Sequence, residues 1–301
     1  MRLRRSLLIC PANRPDLLAK LTRSDQDVAV LCLEDAVHEA EKEAARRDFV
    51  ATVTALEWKC ERLVRINPMA TAHAPEDIKV AVQAGVDGIM LAKTQSADEL
   101  KRASALLAEA ERANGVPEGR TRLWSMVESA LGLLRIEDIC FADPRMSGVL
   151  FGGGDLAVDL QIKRFGLGPF RRTGIPFNEY TYGRGKVVLA ARAAGITPID
   201  TGHTAFGDEW RTRQYAEFSA QMGFAGAVVY SPRQVPWINE TFNPASEDIR
   251  WAQEVVKKTD EASTGNKTVV VIDGEMIDGP FVLHARQILE RARAAGLARQ
   301  A

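Results

Sequence analysis

Eight short apolar runs recur through the first 240 residues, separated by stretches with helical periodicity. They are SLLIC (6–10), VAVLCLE (28–34), RLVRIN (62–67), GIMLAK (88–93), RLWSMVE (122–128), SGVLFGG (147–153), GITPID (195–200) and GAVVYS (226–231). Most are continuous rather than alternating, the pattern of parallel strands covered on both faces. Between them, Ser96 and Glu99 have the spacing of a capping box ahead of ADELKRASALLAEAERANG, and Gly115 fits its C-terminal stop. Residues 39–58, 183–194 and 210–222 carry apolar stripes at helical spacing. Eight β units with intervening helices predict an α/β fold, a (β/α)8 TIM barrel. A doubly wound sheet would leave several of these runs unexplained.

Past residue 240 the texture changes. FNPASEDIRWAQEVVKKTDEA, TVVVIDGEMIDGP and FVLHARQILERARAAG predict a helix, a short strand or hairpin, and a second helix. The expected division is a catalytic barrel over residues 1–240 and a lid-like helix–hairpin–helix extension over 241–301.

Composition narrows the function classes. Forty acids against 39 lysines and arginines leave a net charge of -1, so bulk charge argues for neither nucleic acid nor an anionic membrane. No apolar run approaches the roughly 18 residues of a membrane helix. Cys10, Cys32, Cys60 and Cys140 are too widely spaced for a zinc site; Cys10 and Cys32 lie in strand-like runs and read as buried free thiols, which fits a cytoplasmic location. The four histidines form no HxH or HExxH pair.

In a barrel, chemistry collects at the C-terminal ends of the strands. Those ends carry Asn13 and Arg14, Glu34 and Asp35, Arg65 and Asn67, Lys93, Glu128, Asp155, Asp200, and Ser231. Each has a plain structural reading. Glu34 or Asp35 caps a helix, Arg65 pairs with one of them at the rim, and Asp155 caps a helix near Leu156. Together they place many charges at one mouth. Acids without neighbouring histidines suit a hard cation such as Mg2+. Glu128 and Asp155 could give it two carboxylates, while Arg65 could hold a carboxylate or a developing enolate oxygen. The glycines 152–154 allow close backbone approach, but no dinucleotide or P-loop spacing accompanies them.

These residues resemble the citrate lyase beta-subunit-like family of the HpcH/HpaI aldolase group, which includes malyl-CoA and citramalyl-CoA lyases. The resemblance lies in SLLICPANRPDLLAK, LCLEDAVHEAEKEAAR, LVRIN, GIMLAKT, MVES, VLFGGGDLAVDL, MGFAGAVVYSPRQVPWINETFNP and GEMIDGP, in that order. It implies Glu128 and Asp155 as Mg2+ ligands and Arg65 as the contact to the bound acid or keto acid. Glu34 and Asp35 would support the metal shell, and Lys42 and Arg46 match the lysine and arginine that follow that turn. Asn13, Arg14 and Lys20 would serve the CoA side. Asp278 resembles a mobile acid delivered to a neighbouring subunit, which implies a homo-oligomer, a trimer by preference. The implied reaction is carbon–carbon cleavage of a 2-hydroxyacyl-CoA. Thioester hydrolysis, free-acid aldol chemistry, or a non-catalytic ligand-binding or complex subunit are the alternatives. Ser231–Pro232 stands where relatives carry histidine–proline, and Arg164, Arg171 and Arg172 mark a basic stretch after Asp155.

Overall fold

The computed structural model describes residues 2–162, 180–263 and 269–298. The basic stretch with Arg164, Arg171 and Arg172 lies outside the described residues. Eight strands close into a parallel barrel in sequence order: β1 (Ser6–Pro11), β2 (Val28–Cys32), β3 (Glu61–Ile66), β4 (Gly88–Leu91), β5 (Arg122–Val127), β6 (Met146–Phe151), β7 (Thr197–Asp200) and β8 (Gly226–Val229). β8 returns to pair with β1, so the barrel has no open edge and the doubly wound alternative is excluded. All eight apolar runs became strands because both of their faces are covered.

Around the barrel run α1 (Pro15–Leu21), α2 (Lys42–Thr54), α3 (His73–Gln83), α4 (Ala97–Ala113), α5 (Ala130–Leu134), α6 (Ile136–Cys140), α7 (Gly153–Asp159), α8 (Thr181–Ala193), α9 (Glu209–Gln221) and α10 (Gln234–Phe242). The predicted capping box is present: the Ser96 hydroxyl accepts from the Glu99 N–H while the Glu99 carboxylate reaches back to the Ser96 N–H. Gly115 ends that helix with a φ of +65°. The basic N-terminal residues are structural. Arg4 pairs with Glu61 at 2.7 Å and Arg5 with Asp27 at 2.8 Å.

The barrel interior is filled. Leu7, Val28, Val30, Leu63, Met90, Trp124, Leu150, Ile199 and Val228 form one buried cluster. Gly148 makes room for the Trp124 ring, which a Cβ at that position would overlap. A packed floor leaves only the strand ends free to build a site.

The chain divides into two compact units, Arg4–Asn239 and a second made of residues 1–3 with Glu240–Ala301. The second unit holds α11 (Ser246–Ser263), the hairpin β9 (Val270–Ile272) and β10 (Glu275–Ile277), and α12 (Gly279–Ala294). Asp273 and Gly274, with φ of 51° and 85°, make its two-residue turn. Ala252, Val255, Ile272, Ile277 and Ala285 give this unit a core of its own. Among the described residues no helix is long and apolar enough to cross a membrane.

Candidate active site

The LEDAV turn at the end of β2 is braced from beneath. The buried Lys42 ammonium donates to the carbonyls of Leu33 and Glu34, each at 3.0 Å, and to Asn67 Oδ1 at 2.8 Å. Asn67 Nδ2 donates to the Leu33 carbonyl at 3.0 Å and to Asp77 Oδ2 at 2.6 Å. Arg46 completes the chain against Asp77 at 3.0 Å. Lys42 and Arg46 therefore fix the turn rather than meet a ligand. Neither Glu34 nor Asp35 caps a helix; that position belongs to His38, ahead of a short 3-10 turn at Glu39–Glu41.

Above the turn, one residue gathers the acids. Lys93 adopts a left-handed backbone, φ 52°, unusual for a residue with a side chain. That conformation aims its N–H at Glu128 Oε1, 2.9 Å away. Its ammonium lies 2.9 Å from Glu34 Oε1, 3.2 Å from Asp35 Oδ1 and 3.5 Å from Asp155 Oδ2. Arg65, the cross-strand neighbour of Cys32, pairs with Glu34 Oε2 at 3.2 Å, as the rim reading anticipated. The structure thus brings Glu34, Asp35, Arg65, Lys93, Glu128 and Asp155 together.

The glycines after β6 have distinct duties. A Cβ at Gly152 would fall 2.5 Å from Glu128 Cβ and 2.8 Å from its Oε2. The close approach is to the Glu128 side chain, not to a phosphate. α7 begins at Gly153, and Asp155 sits in its first turn rather than capping a helix at Leu156.

Electrostatics follow from burial. Burial, with the neighbouring Asp155 charge, pushes the Glu128 carboxyl up to about 7 against the opposing Lys93 N–H. Burial also raises Glu34, although Arg65 pulls the other way. Asp35 is lowered: burial works against its charged form, but hydrogen bonds involving Glu34 and Lys93 outweigh it.

With every acid ionised, four carboxylates here face two cations, a formal excess of two negative charges that one divalent ion would cancel. Among the described residues no group of three or more His, Cys, Asp or Glu forms a closed metal cage. Two carboxylates with room for water and substrate oxygens are what a Mg2+ site uses. Glu128 and Asp155 fit such an ion, and the Lys93 ammonium stands among the acids as a positive charge in its vicinity.

The other expected residues have surroundings of their own. Asn13 donates to Glu41 Oε2 at 2.7 Å, while its Oδ1 is buried without a partner. Arg14 is exposed and pairs with Asp16 at 3.0 Å. Lys20 is exposed in the last turn of α1, away from the loop that holds Asn13 and Arg14. The Ser231 hydroxyl accepts from the Arg233 N–H at 3.3 Å. Asp278 occupies the N-cap position of α12 without making a cap bond, and its Oδ1 is buried and unpartnered. Sequence reasoning placed Lys93 at a strand end but gave it no role. The left-handed backbone that defines its role has no composition signature.

Residues 5–232 match the HpcH/HpaI aldolase/citrate lyase family. The chain belongs to this family. It is 33% identical over 294 residues to the citrate lyase subunit beta of Leuconostoc mesenteroides, covering 97% of this chain and 94% of that protein. It is 32% identical over 291 residues to a (3S)-malyl-CoA thioesterase of Cereibacter sphaeroides, covering 96% and 95%. Among solved structures, CitE from Mycobacterium tuberculosis in complex with magnesium, acetoacetate and coenzyme A superimposes with a TM-score of 0.78 at 29% identity, over 97% of this chain and 100% of that one. The membership accords with the barrel and with the ordered motifs that first suggested it.

Proposed function

We propose that this chain is a Mg2+-dependent carbon–carbon lyase acting on a 2-hydroxyacyl-CoA of the malyl-CoA or citramalyl-CoA type. The observation that carries the reading is the placement of Glu128 and Asp155 on one organiser, Lys93, beside the buried Arg65. The magnesium, acetoacetate and coenzyme A of the similar Mycobacterium tuberculosis structure support the same ligand classes here.

Glu128 and Asp155 would hold the ion. When bound, it supplies Lewis acidity toward the hydroxyl and keto oxygens of the substrate. Arg65 binds the substrate carboxylate and keeps it in register with the strand ends. In cleavage, the bond between the carbinol carbon and the thioester α-carbon breaks. The hydroxyl passes its proton to solvent and becomes the keto carbonyl, and the bonding pair passes to the thioester fragment as an enolate. Asp278, delivered from a neighbouring subunit of a homotrimer, returns a proton to that fragment; in condensation it removes one. Its unpartnered Oδ1 fits an acid reserved for such a role. Asn13 and Arg14 lie in the loop after β1 assigned to the CoA side, with Lys20 further along α1. Glu34 is shared between Arg65 and Lys93, and Asp35 faces Lys93.

Purified protein with Mg2+ should convert malyl-CoA or citramalyl-CoA to a keto acid and a shorter acyl-CoA, and Glu128→Gln should abolish this. Undiminished turnover in that variant would remove Glu128 from the metal site. The (3S)-malyl-CoA thioesterase relative favours a second reading, hydrolysis of the thioester on the same binding residues. Free CoA released in step with intact hydroxy acid would select it. Sedimentation that finds a fully active monomer would contradict delivery of Asp278 by a neighbour.

A further inference from the structure

Arg65 is held in an unusual way. The inward positions of β2 are Val28, Val30 and Cys32, and those of β3 include Leu63 and Arg65, paired across the strands as Val30 with Leu63 and Cys32 with Arg65. Met126 lies two residues beyond the inward Trp124 on β5 and packs against the same cluster. Cys32, Arg65 and Met126 therefore form the layer of side chains directly above the apolar floor.

Within that layer Arg65 Nε donates to Cys32 Sγ at 3.1 Å, and one terminal nitrogen faces Met126 Sδ at 3.8 Å. Sulfur is a weak acceptor, and a guanidinium has five N–H donors. Among the described residues the carboxylate paired with Arg65 is Glu34, and Glu34 also faces Lys93 at 2.9 Å through its other oxygen. Cys32 is fully buried, so water does not compete for this contact.

We infer that Cys32 is a positioning residue that fixes the direction of Arg65 without neutralising it, leaving the guanidinium's charge for a planar carboxylate of the ligand. The inference rests on the proposed keto-acid chemistry of this site. A carboxylate in place of the thiol would make a bidentate pair with Arg65 and compete with the ligand for the same fork. Loss of the acceptor would leave Nε unheld and the fork free to swing. A serine hydroxyl would preserve an acceptor in the same direction.

The test is calorimetric titration of pyruvate into the Mg2+-loaded full-length protein, with Mg2+ affinity measured separately for each variant. Wild type should bind pyruvate. Cys32→Ser should stay within about twofold of it, and Cys32→Ala should weaken binding about fivefold, the scale of one net hydrogen bond. Cys32→Asp should weaken binding tenfold or more while Mg2+ affinity is retained. In turnover assays the Ala variant should raise KM more than it lowers kcat, a split that general loss of structure would not produce. If wild type binds pyruvate and the Ala variant binds it equally well, the role of Cys32 is overturned while the lyase reading stands. If Mg2+-loaded wild type neither binds pyruvate nor turns over hydroxyacyl-CoA, the reading of the site fails and the role of Cys32 fails with it.

Discussion

Replacing Glu128 by glutamine should stabilise the metal-free protein. Burial and the nearby Asp155 raise the Glu128 carboxyl from 4.5 to about 7, so ionising it in the folded state is unfavourable. At 1.36 kcal/mol per pKa unit, that corresponds to about 3 kcal/mol of lost stability once the group is ionised. The sign follows from proton uptake: the folded state holds this proton more tightly than the unfolded chain. The destabilisation is absent below the unfolded value of 4.5, grows as pH rises, and is complete above about 7. Glutamine keeps the side chain's shape and an oxygen to accept the Lys93 N–H, 2.9 Å away in the parent. In urea unfolding with EDTA, the variant should exceed wild type by about 3 kcal/mol at pH 8 and by less than about 1 kcal/mol at pH 5. Saturating Mg2+ should then raise wild-type stability and leave the variant unchanged. A stability difference that does not vary with pH, or a variant less stable than wild type at pH 8 in EDTA, would refute the reasoning.

Gly152→Ala should displace Glu128, because the new methyl falls 2.5 Å from Glu128 Cβ, an atom too close to the backbone to swing away. Mg2+ affinity by calorimetry should drop at least about tenfold while overpacking costs about 1–3 kcal/mol of stability; parental affinity would mean the backbone absorbs the clash. Asp200 and Arg184 form a fully buried pair at 3.2 Å, so Asp200→Asn should cost about 3–5 kcal/mol in denaturant unfolding. Adding Arg184→Met should recover most of that loss, and additive losses would show that the uncompensated charge is not the cause. Asp278→Asn should lower kcat by about 100-fold or more with pyruvate and Mg2+ affinity intact; an unchanged kcat would deny it the proton-transfer role.

The strands were legible because burial on both faces leaves continuous apolar runs, and α4 because Ser96 and Glu99 encode both halves of its cap. The charged strand ends were legible as a set once the barrel was drawn. What could not be read is what depends on register between distant segments. Cys32 looked like an inert buried thiol; only its pairing opposite Arg65 on β3 gives it a partner. Gly152 looked like part of a ligand-binding turn, yet its missing side chain serves Glu128, 24 positions away in sequence. Lys93 carries a conformation that propensity disfavours, and its contacts to three segments distant in sequence are invisible to periodicity.

That left-handed residue has a mechanical consequence. Glu128 takes its position from the Lys93 peptide, and Asp155 faces the ammonium of the same residue. The two acids, one just past the end of β5 and the other in the first turn of α7, thus share a single datum. A displacement of the β4–α4 loop moves both reference points in the same direction and so tends to conserve the gap between the carboxylates. Drift in the surrounding scaffold becomes a translation of the pair rather than a change in its bite. A grafted or redesigned pocket on this barrel would therefore do best to transplant the 92–94 loop together with the two acids, since Lys93 contacts both.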